Sequence, residues 1–379
     1  MLNRRSLRIK VMQSLFALHQ CKEANYQLCL EKISENFNPD LNSMEVQDKT
    51  LLSQQKKLAT KLFEKAFAKN ETSVDHEEPK IKKSVNEAFK FYAVQDKKDV
   101  DFFRKGLVSE VEKIYDHYIA VLSLMVAFAE IAEADKKVSH KSFIQNTWIK
   151  ALRNSEALKK DALRLGRHWQ NKSEQVRLWF RDVVRQDSEY LASMDRKNPS
   201  LDDQKKLAAH LFKKVILGKS VINEHFEEEV LRWVEDKEIV KSLVEKTVKS
   251  YDPESQPEIS LHTLSLNWDD DKDFMERLYK TAISLDDKHR ELIANNTRNW
   301  EVDRLALTDR VILEMAIAEL ISFPNIPVKV TINEYIELAK NYSTPKSRQF
   351  INGILDVIAK ELKDLGEVKK SGRGLIDNK

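Results

Sequence analysis

Residues 326–353 read IPVKVTINEYIELAKNYSTPKSRQFING, and they announce two helix starts in quick succession. Thr331-Ile332-Asn333-Glu334 has the form of a capping box, with Val330 and Tyr335 placed to staple across it. A second start follows at Thr344-Pro345, a cap residue and then a proline at the first helical position. The first turn of that second helix holds Lys346, Ser347 and Arg348. Cations there oppose the helix dipole, at a cost of about 0.3–1 kcal/mol each where exposed. Asp or Glu would serve folding better in that turn. A helix N-terminus with backbone N–H groups, a hydroxyl and two cations suits a phosphate instead.

Working outward, the chain has 379 residues but only 7 Gly and 8 Pro. So few breakers predict an almost wholly helical protein, long enough for two or three domains. Lys+Arg total 64 against Asp+Glu 61, so a nucleic-acid site must be a local basic patch. Cys21 and Cys29 sit too far apart on a helical segment to bridge locally, which suits a reducing, cytoplasmic setting. The start, MLNRRSLRIKVMQ, lacks the apolar core of a secretory signal. The most apolar run, residues 119–131, is too short for a membrane span and carries Glu130, so it reads as a core helix and no membrane partner is expected.

Residues 4–22 read as one helix, with Leu7, Val11, Leu15 and Leu18 at helical spacing and Ile9, Met12 and Phe16 widening the apolar arc. Arg4, Arg5 and Arg8 crowd its first turns on the wrong end for the helix dipole, either as ion-paired or snorkelling arginines or in a functional role. Helical periodicity continues over 44–69, 81–94, 100–134, 139–166, 173–194, 202–218 and 221–249. Breaks fall at Pro39, 70–79, Asn198-Pro199 and 250–257. Gln55-Lys56-Lys57-Leu58-Ala59 recurs as Gln204-Lys205-Lys206-Leu207-Ala208, and Leu211-Phe212-Lys213…Trp233 has the spacing of Leu278-Tyr279-Lys280…Trp300. These are either degenerate repeats or chance recurrences of helical spacing. Asp269, Asp270 and Asp271 are placed to cap the helix that follows them.

The run Pro327, Lys329, Val330, Ile332, Asn333, Glu334, Ile336, Glu337, Leu338, Ala339, Lys340, closing with Phe350, Asn352 and Gly353, resembles the C-terminal signature of the NusB family. The arginine-rich first helix is similar to that family's basic N-terminus, and the resemblance resumes from Phe274 to Leu362. It implies an all-α protein: a NusB-like helical bundle core split by a large all-helical insertion. The expected parts are 1–35 and 271–365 for the core, 36–270 for the insertion, and 366–379 for a disordered basic tail. The implied function is RNA-binding transcription antitermination, on single-stranded boxA-type RNA of nascent ribosomal transcripts. The implied partners are the small-subunit ribosomal protein NusE and the elongating polymerase complex with other Nus factors. A ribosome-assembly factor on precursor rRNA, or a helical protein–protein scaffold with a vestigial RNA site, are the alternatives.

No HExxH, Cys/His ligand spacing, GxGxxG, Walker loop or GxSxG occurs, so neither an enzyme nor a metal or cofactor is expected. Binding remains. Arg4, Arg5 and Arg8 with Lys346, Ser347 and Arg348 form one expected groove, Gln349 reading a base edge and Phe350 either stacking on a base or packing in the core. Lys329 and Lys340 are further exposed-lysine candidates. Asp309, Glu314, Glu319, Tyr335 and Glu337 are the expected face for the basic ribosomal protein, each equally able to cap or pair within the chain.

Overall fold

The computed structural model describes residues 2–40, 46–255, 257–297 and 305–378. The predicted helix start at Met44 and the repeat's Trp300 lie outside them. The protein is all-α, with no strand among the described residues. Its helices are α1 (Arg4–Glu35), α2 (Lys49–Ala68), α3 (Pro79–Ala134), α4 (Lys141–Ile144), α5 (Thr147–Asn154), α6 (Glu156–Arg164), α7 (Ser173–Asp182), α8 (Ser188–Asp195), α9 (Leu201–His210), α10 (Ser220–Glu229), α11 (Trp233–Ser250), α12 (Trp268–Ile283), α13 (Asp287–Thr297), α14 (Leu307–Ser322), α15 (Val328–Tyr342) and α16 (Pro345–Asp364).

Several predicted helices join or divide. Segments 81–94 and 100–134 form the single α3, because 95–99, Gln-Asp-Lys-Lys-Asp, offers no Gly or Pro to stop it. Segment 139–166 is cut twice instead. Asn146 Oδ1 accepts from Ile149 N at 3.2 Å and Ser155 Oγ from Leu158 N at 3.3 Å, each starting a new helix. The capping box at Thr331 does not form: α15 begins three residues earlier, at Val328 after Pro327, and no side chain caps it. Thr344 does cap α16, its hydroxyl accepting from Ser347 N, with Pro345 at the first position.

The chain forms two compact units, one of Met1–Leu7 with Val108–Lys272 and one of Arg8–Leu107 with Asp273–Lys379. The expected insertion is thus shared: 36–107 compact with the chain's later helices, while 108–270 belong to the other unit.

In the first unit the apolar end of α3 is core, with Ile119, Leu122, Met125 and Phe128 at 0–1% exposure. An 18-residue window of α3 is long and apolar enough to span a bilayer, but 67% of it is buried inside the protein. Trp148, Trp233 and Tyr190 complete this core, and Trp233 stacks on Phe226 with ring centroids 4.5 Å apart. The Tyr118 hydroxyl and Thr247 Oγ1 lie 2.6 Å apart, giving a buried polar pair its partner.

In the second unit α14 is buried on every side, from Val311 through Leu320, between α15, α16 and their neighbours. A satellite cluster joins the C-terminal half of α1 to α2 and the start of α3 through Cys29, Ile33, Phe63, Val85 and Phe89. Burial pushes the Cys29 thiol up to about 11, so this cysteine behaves as an apolar core residue. The segment expected to be a disordered tail is placed through Asn378. Lys370 Nζ donates to Leu320 O and Phe323 O, at 3.1 and 3.0 Å, covering carbonyls at the end of α14.

Candidate nucleic-acid interface

The start of α16 is the best-formed candidate surface. Lys346, Arg348 and Gln349 are exposed on its first turns, and Phe350 is half-buried behind them. Neither Lys346 nor Arg348 is drawn into an ion pair among the described residues. Their charges therefore face solvent beside the positive end of the helix dipole. Ser347 departs from expectation. It is 7% exposed, and its hydroxyl donates inward to Asp309 Oδ2 at 2.7 Å while lying 2.8 Å from Thr344 Oγ1. The place expected for a phosphate oxygen on that hydroxyl is taken by an internal carboxylate.

Arg8 departs further, for it is 2% exposed. Its Nε and Nη2 donate to the two oxygens of Glu319, each at 2.7 Å, and Nη1 donates to Glu334 Oε2 at 3.4 Å. The guanidinium also lies 5.4 Å from the Phe274 ring centre and 5.9 Å from that of Tyr335. Burial alone would lower its pKa, but the bidentate bond and charge of Glu319 win, and it is raised. Thr331 Oγ1 and Tyr335 OH donate to the same carboxylate at 2.9 and 3.1 Å. Burial and then Glu319 raise the Tyr335 phenol well above its ordinary range, so it stays a donor. Arg8 is thus a buried ion-pair partner rather than an exposed RNA contact. Arg8 and Ser347 both reach α14, at Glu319 and Asp309, ten positions or about 15 Å of helical rise apart.

Arg4 and Arg5 remain exposed. Both belong to the first unit, where Arg4 Nε lies 3.5 Å from Asp271 Oδ1 and Nη1 donates to Asp270 O at 3.4 Å. Asp269, Asp270 and Asp271 fall in the first turn of α12, where they suit the helix dipole, while the side-chain oxygen that accepts from this turn is Asn267 Oδ1, from Asp270 N at 3.3 Å.

Of the residues expected to face a protein partner, four are inside. Asp309 is 4% exposed, Glu314 7%, Glu319 0% and Tyr335 0%, and Glu314 Oε2 sits 3.0 Å from His19 Nε2. Only Glu337 reaches the surface, 3.8 Å from Lys340. Sequence reasoning missed Thr331, Glu334 and Phe274 as companions of Arg8. The signal was Glu319 itself, one of two carboxylates with Glu314 in the apolar run from Val311 to Leu320, which can be buried only with a partner.

The site is therefore an all-helical one: α14 lies buried against α13, α15 and α16, and the basic start of α16 is left open. The NusB family model matches residues 230–360. The transcription antitermination protein NusB of Salinibacter ruber is 44% identical over 105 residues, 28% of this chain and 66% of that protein. That of Chloroherpeton thalassium is 44% identical over 106 residues, 28% and 50%. That of Dictyoglomus turgidum is 41% identical over 104 residues, 27% and 70%. The chain belongs to the NusB family. It spans about half to two thirds of the first two relatives' lengths, and the family match leaves out α1. No solved structure matches it.

Proposed function

We propose that this chain is an RNA-binding, non-catalytic transcription antitermination factor acting in the cytoplasm on boxA-type single-stranded RNA. The observation that carries the proposal is the start of α16, where Lys346, Arg348 and Gln349 stand exposed at a capped helix N-terminus in a NusB-family sequence. Lys346 and Arg348 bind phosphate there, and Gln349 offers an amide to a base edge. Arg4 and Arg5, exposed at the start of α1, are further proposed phosphate contacts. NusE and the elongating polymerase complex are the proposed protein partners, with Glu337 on α15 as the remaining acidic contact for a basic ribosomal protein.

Titration of a boxA-type RNA oligonucleotide at several salt concentrations tests this. Each lost phosphate contact flattens the log–log salt slope by about 0.7 for a single strand. Lys346→Ala combined with Arg348→Ala is therefore expected to flatten it by about 1.4 and to weaken binding most at low salt. A slope indifferent to both substitutions removes α16 from the interface.

A further inference from the structure

We propose that the first unit carries a binding cleft for a small amphipathic organic anion, built around Ser123 and His168. The cleft measures about 690 Å³ and lies between α3, α5, α6 and the start of α7, within the roughly 300–1,000 Å³ usual for small-molecule sites. In the apolar run 119–131 of α3, the polar residues are Ser123 and Glu130, and both line the cleft. Seven positions apart, they share one helix face.

Ser123 is 8% exposed, yet its hydroxyl has no hydrogen-bond partner among the described residues, although buried serines in helices commonly return to a carbonyl one turn back. His168 Nδ1, also in the lining, is likewise buried without a partner among the described residues. Trp169 does not supply one, because its indole N–H donates to Ala120 O at 2.9 Å. Two hydrogen-bonding atoms are therefore held ready inside a pocket walled by Ile131, Leu152, Leu158 and Leu163. Leu163 stays 75% exposed at the edge.

The charged lining is Lys150, Arg153 and Lys159 against Glu130. Arg153 and Lys159 already pair with Glu133 and Glu156 at 2.5 and 2.8 Å, but those carboxylates are 57% and 85% exposed and hold their partners weakly. Lys150 has no ion pair among the described residues. The ligand's anionic group belongs at this cationic side, its apolar body against the leucines, and a polar atom on Ser123 and His168.

The test uses the full chain with 8-anilino-1-naphthalenesulfonate as a fluorescent aromatic anion, displaced in separate arms by decanoate and by AMP. One saturable class of site is expected. Ser123→Ala should weaken it about two- to twelvefold, the value of one hydrogen bond, without lowering the melting temperature, because the hydroxyl has no internal partner to lose. Lys150→Glu should weaken it more at low salt than at high. Displacement by decanoate assigns an alkyl body and displacement by AMP a nucleotide. Displacement by neither, dye binding indifferent to both substitutions, or a melting temperature lowered by Ser123→Ala with binding intact overturns the proposal.

Discussion

Glu319 receives four hydrogen bonds, from Arg8 Nε, Arg8 Nη2, Thr331 Oγ1 and Tyr335 OH. Completeness is what makes a buried charge tolerable, since removing one partner leaves the other desolvated and alone. Arg8→Met is accordingly expected to cost about 3–5 kcal/mol, and Arg8→Met with Glu319→Gln should recover part of the loss. Denaturant unfolding of the parent, single and double variants measures this, and an additive double variant would contradict it. Charge pattern alone left this residue ambiguous. Arginines at a helix start look the same whether they face RNA or a carboxylate more than three hundred positions away. The discriminating signal lay on α14, where Glu314 and Glu319 interrupt an apolar run and so demand internal partners such as His19 and Arg8.

At the scale of elements, local chemistry was legible where it had no competitor. Thr344-Pro345 starts α16 as its sequence requires. The same grammar failed at Thr331, because Pro327 lets α15 begin earlier and the hydroxyl is taken by Glu319. Tertiary demand overrode a local signal there, as it did at Ser347. The segment after α16 shows the reverse, a stretch that composition marks as loose but that side chains hold. Glu367 Oε1 receives Lys288 Nζ at 2.5 Å, and Glu367 Oε2 lies 2.6 Å from His289 Nε2. The hydrogen bond from Lys288 outweighs partial burial, and with His289 it holds the Glu367 carboxyl below its ordinary value. Asp286, 2.5 Å from the other nitrogen of His289, is also lowered, chiefly by the backbone N–H of His289. A depressed carboxyl stabilises fully above its unfolded pKa, roughly 4.3 for glutamate, and loses that contribution as pH falls through the folded value. Amide exchange of residues 366–378, corrected for intrinsic rate, should therefore accelerate as pH drops from about 6 towards 3. Glu367→Gln should flatten that dependence, and an unchanged profile would place the hold elsewhere.

At the scale of the whole molecule, the family sequence crosses a structural boundary. The NusB match begins at residue 230, just after α10 of the first unit, and ends in α16 of the second. The boundary itself was hidden in the sequence, since α3 runs through it with Gly106 as its one breaker after Pro79 at the start, and one helical glycine costs only about 1 kcal/mol. Residues 108–272 nevertheless hold a full core, with Trp148, Trp233, Tyr118, Tyr190, Phe180 and Phe212 all at 2% exposure or less. A domain of about 150 residues buries roughly 68–70% of its unfolded surface, enough to fold without help. The fragment loses Leu2 N to Leu264 O and the Arg4–Asp271 pair, and keeps the aromatic interior. It is therefore expected to be helical by circular dichroism, to melt in one cooperative transition, and to show dispersed aromatic side-chain resonances. A broad, non-cooperative melt would mean that this core depends on the rest of the chain. In that event, deletion of 108–272 should also fail to leave a folded remainder, and the large helical addition would have to be treated as part of the NusB-like core rather than as a body set into it.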